Sequence, residues 1–417
     1  MKKLLLWFIV ATMLSVSMIA LAEEPVVTLN AGTSEVEQAW GEKWVGKWNE
    51  NHPEAQVRYE LVPWADLNTK VMAYKAAGTP PDLAWYFVDQ ITEWHKMGIL
   101  EPLDEWIGDT KDTFMDALLK PTSDIIYDGK IYGAPITVCN GALAVRKDIL
   151  EQYEIDPASI KTWEDFKKVV ATVTNPPNQF GTALMLAEPR MLALDAGWWA
   201  VSNGLDNIAD FRPEKEENYI QLLQFFKDLK PYMPPAQTGW IHRDSQIAYV
   251  NGVMVMYPTA SYFFGEIKPL APEIMSPEKT IFIPMPYGPK LSKPNIALYT
   301  VGYVMFKDAP HKKEAAEFLK FWLSKDVINE FPMNLAPLKN LSVDDRVSVS
   351  SFGEDLRWFQ EQCINVIKQS DTVGLKPVIP GEESYRIFDE EILRMFSQDI
   401  PAKETYDVLR KKITALQ

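Results

Sequence analysis

The sequence contains few of the residues that build metal sites, disulfide scaffolds or nucleophilic catalysts. Among its 417 residues are two cysteines, Cys139 and Cys363, and four histidines. Two cysteines cannot form a disulfide scaffold, they lack zinc-ligand spacing, and no H-E-x-x-H motif is present. The G-x-G-x-x-G, P-loop, G-x-S-x-G and EF-hand patterns do not occur either. We therefore expect no metal and no cofactor.

Positive charge is also scarce. The chain has 42 Lys and Arg against 57 Asp and Glu, a formal net charge of -15. Nucleic acids and anionic membrane surfaces are bound through basic surfaces, so neither is expected as the main partner. Apolar residues make up 47% and charged residues 24%, which is typical of a globular protein. At roughly 100–200 residues per domain, the length suggests two or three domains.

Outside its N-terminal segment, the sequence has no stretch approaching the roughly 20 consecutive apolar residues of a membrane-spanning helix. That segment has the basic start, apolar middle and A-x-A end of a secretory signal peptide, at 1–3, 4–11 and 20–22. We expect cleavage near Glu23 and a periplasmic location. Position 23 is not cysteine, so no lipid anchor is expected. An uncleaved membrane anchor is the alternative, and the polar residues Ser15 and Ser17 weaken it.

Aromatic residues are abundant, with 14 Trp, 16 Tyr and 19 Phe. Short apolar runs alternate with segments of helical periodicity, beginning with predicted strands at 26–30, 57–62 and 82–87 and helices between them. Strand–helix–strand order at this spacing predicts an α/β fold with a largely parallel sheet. The C-terminal third is predicted to be mostly helical, at 352–368 and 384–416.

Several short motifs, taken in order, resemble those of the family 1 extracellular solute-binding proteins, the sugar-capturing components of ABC importers. Each motif alone is of low specificity, but their order and spacing extend over most of the chain beyond about residue 80. The motifs are GTPPDL at 78–83, YDGKIYGAP at 127–135, KDIL at 147–150 followed by KTWEDF at 161–166, PMP at 284–286, and KEAAEFL at 313–319.

The resemblance implies a two-lobed periplasmic-binding-protein fold of type II with a ligand cleft between the lobes. The chain would cross the hinge three times, near 138–140, 283–286 and 335–339. After a signal peptide at 1–22, the N-terminal lobe would comprise 23–138 and 287–335, and the C-terminal lobe 139–286 and 336–417. The lobes would close around the ligand, and a membrane permease would recognise the closed form. We expect a monomer.

The first candidate binding residues are aromatic and acidic side chains near the ends of predicted strands. A sugar has apolar C–H faces that suit aromatic planes and hydroxyls that suit carboxylates. In open α/β sheets, ligands bind beyond the carboxyl ends of the strands. Trp64 and Trp85 lie near such ends, and the family resemblance implies that Tyr86 stacks and that Asp89 binds a hydroxyl. Trp40, on the predicted first helix, is a further candidate, although a core position is the alternative for each aromatic residue.

The second group of candidates lies further along the chain. Glu188 matches an E-P-x segment of the maltose-binding relatives as a hydrogen-bond acceptor. Arg190 replaces an aromatic residue there, which leaves room for an acidic sugar. Asn140 lies at the first predicted crossing, and Tyr257 and Tyr262 follow the family's pattern of an aromatic after a G-x-x-A-M strand.

Three weaker possibilities accompany these candidates. His242 and Tyr385 are the less favoured ligand contacts. Cys139 occupies the position of a second binding carboxylate in the relatives, and in an exported protein it could form a disulfide with Cys363.

These patterns predict a periplasmic substrate-binding component of an ABC transporter, without catalysis, that captures a sugar or short oligosaccharide. Aromatic and acidic residues would also bind a polyamine or another small cationic solute through cation–π contacts, which is the main alternative. A secreted carbohydrate hydrolase stays an alternative, because sequence spacing cannot reveal a catalytic pair of acidic residues. It is a remote one, because the three hinge crossings fit a binding protein better.

Overall fold

The computed structural model describes residues 25–31, 35–107, 125–331, 335–336 and 342–416. The predicted signal peptide and residues 337–339 of the third predicted crossing lie outside these ranges. Within them, strands and helices alternate in the order expected of a mixed α/β protein, so the predicted class is confirmed.

The described residues contain ten strands. The first three form a parallel group in the order β2-β1-β3, β9 then runs antiparallel to β3, and β10 lies parallel to β9. The sheet is therefore mixed, and the prediction of a largely parallel sheet was wrong. Strands β1, β2 and β3 are joined by βαβ crossovers, whereas β9 enters the sheet from a distant part of the chain. The strands are β1 Val26–Ala31, β2 Val57–Val62, β3 Leu83–Tyr86, β4 Ile126–Tyr127, β5 Lys130–Ile131, β6 Ala134–Arg146, β7 Met256–Ala260, β8 Thr280–Ile283, β9 Asn295–Met305 and β10 Asp371–Gly374.

Strand β6 belongs to two sheets. Its first part, 134–140, pairs antiparallel with β9, and its second part, 141–146, pairs antiparallel with β7 and β8. The whole strand is buried. At Gly302 of β9, an added Cβ would lie 2.0 Å from the carbonyl oxygen of Ala134, so only glycine allows this close pairing. The two sheets are thus joined through one continuous strand.

Fifteen helices are described, and they cover the faces of these sheets. Thr162 and Asp165 form a capping box at the start of α5. The predicted helix at 384–416 is divided into α14 and α15 at Asp399, which has a positive φ of 55°. Among the described residues, no helix is both long enough and apolar enough to span a membrane. The helices are α1 Glu35–Asn51, α2 Leu67–Ala76, α3 Val88–Lys96, α4 Lys147–Gln152, α5 Trp163–Val173, α6 Pro189–Val201, α7 Glu216–Leu229, α8 His242–Val250, α9 Tyr262–Ile267, α10 Lys312–Trp322, α11 Lys325–Asn329, α12 Val343–Val349, α13 Glu354–Lys368, α14 Gly381–Gln398 and α15 Ala402–Thr414.

Many of the abundant aromatic residues pack in the core. Trp40, Trp44 and Trp48 form a buried stripe on α1. Trp40 packs edge to face on Trp322 with the ring centroids 4.7 Å apart, and its Nε1 donates to the Val327 carbonyl oxygen at 3.1 Å. The four-residue spacing of the stripe therefore reflects helix packing, which is the alternative that the sequence left open for Trp40.

The two cysteines are buried free thiols. Burial raises the pKa of Cys139 to about 12 and the pKa of Cys363 above its usual range. Both residues therefore remain thiols at neutral pH and act as small apolar packing residues. The disulfide that the sequence allowed is not formed in this structure.

Removing the Trp322 side chain should destabilise the protein strongly. The side chain is fully buried between α1 and β9, where it contacts Trp40 and Tyr303. We expect Trp322→Ala to lower the free energy of unfolding by about 3–5 kcal/mol, because it leaves a large cavity. Met97→Ala is the control, since Met97 is half exposed, and its effect should stay within about 0.5 kcal/mol. Urea unfolding followed by circular dichroism measures both, and similar losses would contradict the core position of Trp322.

Candidate functional site

A cavity of about 490 Å³ lies beside the junction of the two sheets. This volume is within the usual range for a small-molecule binding site, about 300–1,000 Å³. Three groups of residues line it. Thr137 and Cys139 of β6 and Tyr299 and Val301 of β9 form the first group. The second group comes from the start of α1, the segment after β2 and the segment from β3 into α3. The third group comes from α6, α8, α9 and the residues before and within α14.

Trp64, Trp85 and Phe87 form an aromatic surface on one side of the cavity. Trp64 packs edge to face on both of the others, with ring centroids 6.0 Å apart in each case. Trp85 is almost fully buried, and its Nε1 has no hydrogen-bond partner among the described residues. The cavity thus presents an aromatic surface that includes Trp64 and Trp85, two of the predicted ligand contacts.

Tyr86 and Asn140 do not line the cavity. Trp85 and Phe87 face it, so Tyr86 between them points to the opposite side of β3, where its hydroxyl lies 2.9 Å from Thr300 Oγ1. Cys139 faces the cavity from β6, so the next residue, Asn140, points away from it and is fully buried. Both departures from the prediction have the same cause, because successive side chains of a strand alternate between its faces.

Asp89 and Arg190 form a buried ion pair at one end of the cavity. Arg190 Nη2 lies 3.0 Å from Asp89 Oδ1, and Arg190 Nη1 lies 2.8 Å from Glu382 Oε1. Tyr385 donates its hydroxyl to Asp89 Oδ2 at 3.0 Å. Burial alone would lower the pKa of Arg190, but the charge of Asp89, followed by Tyr385 and Glu382, raises it, so the guanidinium stays charged.

A second polar cluster connects α6, α8 and α9. Glu188 Oε2 accepts a hydrogen bond from the backbone N–H of His242 at 2.8 Å, which places a carboxylate at the N-terminus of α8. Glu266 Oε2 lies 3.0 Å from His242 Nε2 and accepts from Gln246 Nε2 at 2.7 Å. Burial lowers the pKa of His242, but the charge and hydrogen bond of Glu266 outweigh it, and the pKa is raised. Glu188 also lines the cavity, and its predicted role as an acceptor for the ligand stays a prediction.

Tyr262 lines the cavity, and Tyr257 lies behind it. The Tyr262 hydroxyl itself is buried. Tyr257 is fully buried, with its hydroxyl 3.3 Å from Nδ1 of His242, so it supports the polar cluster without reaching the cavity. Behind the cavity, both carboxylate oxygens of Asp195 on α6 are buried and lack a described partner, and burial raises the pKa of Asp195 well above its usual value.

Glu37, Glu266, Gln246 and Tyr299 line the cavity but were not predicted. Glu37 lies in the first turn of α1, beyond the carboxyl end of β1, where the strand-end rule could have found it. Burial, followed by the charge of Glu266, raises the pKa of Glu37 to about 8. At neutral pH, Glu37 therefore presents an uncharged carboxyl that can both donate and accept.

Among the described residues, no group of three or more His, Cys, Asp or Glu side chains is arranged to hold a metal ion. Six of the ten predicted binding residues line the cavity together: Trp64, Trp85, Asp89, Glu188, Arg190 and Tyr262. Trp40, Tyr86, Asn140 and Tyr257 lie outside the lining, whereas the less favoured His242 and Tyr385 lie within it.

Comparison with known proteins gives matches to binding proteins in both sequence and structure. The family model of bacterial extracellular solute-binding proteins matches residues 31–328. A binding protein of Brucella abortus (strain 2308) is 26% identical over 293 residues, 68% of each chain. The arabinooligosaccharide-binding protein of Bacillus subtilis (strain 168) is 24% identical over 353 residues, 77% of this chain and 76% of its own.

A solved structure matches nearly the whole chain. It is an ABC substrate-binding protein of Listeria monocytogenes in complex with cycloalternan, which superimposes with a TM-score of 0.74 at 18% identity. The match covers 94% of this chain and 98% of that one. The predicted two-lobed, type II periplasmic-binding-protein fold is thereby confirmed, whereas the positions of the lobe boundaries stay a prediction.

The raised pKa of Glu37 predicts a pH-dependent stability. Between about pH 4.5 and about 8, the folded protein retains a proton on Glu37 that the unfolded chain releases, so the free energy of unfolding falls as the pH rises through this window. Glu37→Gln should remove this fall and, above the window, stabilise the protein by on the order of a few kcal/mol relative to the wild type.

Urea unfolding at pH values below, within and above the window measures the effect. Glu50→Gln is the matched control, because Glu50 is exposed on the same helix and its substitution should leave the wild-type pH dependence intact. If Glu37→Gln and the wild type had the same pH profile, Glu37 would not be a buried neutral acid.

Proposed function

The chain belongs to the family of bacterial extracellular solute-binding proteins, and we propose that it captures a sugar or short oligosaccharide and delivers it to an ABC permease. Binding in the cavity between the lobes would draw the lobes together, and the permease would recognise the closed form. The chain would act as a monomeric binding protein without catalysis.

The chemistry of the cavity lining is the observation that carries this proposal. An aromatic surface of Trp64, Trp85 and Phe87 suits the apolar face of a sugar ring. The Glu37 carboxyl adds a group that can both donate a hydrogen bond to a sugar hydroxyl and accept one from it. An apolar lining with a few polar groups is typical of a small-molecule site.

The path of the chain supports closure by hinge bending. Strand β6 passes from one sheet to the other at about Asn140, which agrees with the first predicted crossing at 138–140. We accordingly divide the chain into an N-terminal lobe of 23–138 and 287–335 and a C-terminal lobe of 139–286 and 336–417. The cavity would then lie where the lobes meet.

The proposal includes an extracytoplasmic location. The family is extracellular, and the N-terminal sequence has the pattern of a cleavable signal peptide without a lipid-attachment cysteine. A periplasmic protein of this kind would meet its permease at the outer face of the inner membrane.

The comparisons favour a saccharide over a cationic solute. The Bacillus subtilis relative is named for an oligosaccharide, and the Listeria monocytogenes structure contains one. Both are named as binding proteins and neither is named for a polyamine, so no observation favours the two alternatives over sugar capture.

A thermal-shift screen with maltotriose, arabinotriose and spermidine tests the proposal. Bound ligand stabilises the folded protein by about 2.7 kcal/mol at a concentration of 100 Kd, so a saccharide should raise the Tm and spermidine should not. Stabilisation by spermidine alone would contradict the proposal, and release of shorter sugars from maltotriose or arabinotriose would contradict a binding protein without catalysis.

Replacing Trp64 should weaken the binding of the stabilising saccharide. Trp64→Ala removes one ring of the aromatic surface, and we expect a Kd at least about tenfold higher by calorimetry. Trp106→Ala is the matched control, because Trp106 is also half buried but lies outside the cavity lining. If the two variants lost the same affinity for the saccharide, Trp64 would affect binding only by stabilising the folded protein.

A further inference from the structure

The polar contacts of Asp89 connect three helices at one end of the cavity. Asp89 lies in the first turn of α3, Arg190 in the first turn of α6, and Glu382 and Tyr385 in the first two turns of α14. Arg190 binds Asp89 and Glu382 at 3.0 and 2.8 Å, and Tyr385 donates to the second oxygen of Asp89 at 3.0 Å. Since α6 and α14 pack against each other, these contacts fasten α3 to that helix pair.

A second contact joins the same elements. The backbone N–H of Gly381 donates to Glu93 Oε1 of α3 at 2.6 Å, one turn along the helix from Asp89. An added Cβ at Gly381 would lie 2.9 Å from Asp89 Oδ2, so the start of α14 approaches α3 closely. Two independent contacts therefore hold α14 against α3.

The guanidinium of Arg190 makes several contacts with the protein. Its side chain is 11% exposed, and the side chain of its partner Asp89 is 3% exposed. The guanidinium carbon lies 5.2 Å from the ring centroid of Phe87 and 5.7 Å from that of Tyr385, so aromatic rings occupy positions near the cation in addition to the two carboxylates.

From these contacts we propose that Asp89, Arg190 and Glu382 form a clasp that holds the cleft closed around an uncharged saccharide. That the ligand is a saccharide rests on the proposed function. The clasp itself rests on the contacts of Asp89, Arg190 and Glu382. Arg190 is thus a positioning residue that joins the two sides of the cleft. The sequence left room for Arg190 to bind an acidic sugar. In the structure its guanidinium binds carboxylates of the protein instead.

The charges around Arg190 disfavour an acidic ligand. A sugar carboxylate that approached the guanidinium would compete with Asp89 and Glu382 for it, and Glu188 places a further carboxylate in the lining of the same cavity. Like charges at close range repel each other, and the displaced acid would lose its partner. An uncharged saccharide binds without disturbing the ion pairs.

The first experiment needs no sugar. We expect small-angle X-ray scattering of the ligand-free Arg190→Gln variant to give a larger radius of gyration than the wild type, because the buried Asp89 loses its counter-charge. Arg386→Gln is the matched control: Arg386 also pairs with two carboxylates on α14 but is half exposed, and its loss should leave the radius of gyration unchanged. An unchanged radius for Arg190→Gln would overturn the clasp.

The second experiment measures the dissociation rates of maltotriose and arabinotriose by stopped-flow fluorescence. Dissociation should be at least about tenfold faster from Arg190→Gln and about twofold faster from Glu382→Gln, whose altered side chain is half exposed and compatible with folding. Arg190→Lys, which keeps the charge, should restore part of the slow rate. Equal rates in the wild type, Glu382→Gln and Arg190→Gln would overturn the proposal.

The third arm tests the charge of the ligand. The wild type should not be stabilised by trigalacturonic acid, and stabilisation by this acid in preference to the neutral trisaccharides would overturn the uncharged class. If no saccharide bound at all, the proposed function would fail, while the ligand-free scattering would still decide whether the clasp exists.

Discussion

The alternation of side chains along β3 and β6 is the constraint on which the cavity depends. β6 is buried along its whole length and pairs with strands of both sheets, so its residues must face either the core or the space between the sheets. Thr137 and Cys139 face that space, and Trp85 and Phe87 of β3 face it too. The helices contribute most of the remaining side chains that line the cavity beside these strands.

This alternation also explains how far the sequence could predict the site. Strand ends mark the segments of Trp64 and Trp85, and the family resemblance indicates Asp89. The register of Tyr86 and Asn140, however, depends on which face of each strand is buried against helices. A single sequence does not contain that information, because both neighbours of Tyr86 are also aromatic. The fold class was predictable, whereas the antiparallel entry of β9 depends on pairing between segments more than 200 residues apart.

The polar groups of the cavity divide into two kinds. Asp89, Arg190, Glu188 and Glu266 are bound to other protein groups, and their charges hold the walls in position. Glu37 is of the second kind, because its carboxyl is uncharged at neutral pH and can both donate to a ligand hydroxyl and accept from it. Walls held by contacts within the protein and a neutral polar group that lines the cavity together give a preorganised site.

The neutral carboxyl of Glu37 has a consequence for the heat of binding. Near pH 8 this group is partly ionised in the free protein. A sugar hydroxyl that accepts a hydrogen bond from Glu37 stabilises the protonated carboxyl, so binding would take up protons from the buffer. A hydroxyl that donates a hydrogen bond to the ionised carboxylate would have the opposite effect, and binding would release protons. The enthalpy measured by calorimetry would then differ between buffers of different ionisation enthalpy, and the slope of that difference counts the protons exchanged for each ligand bound.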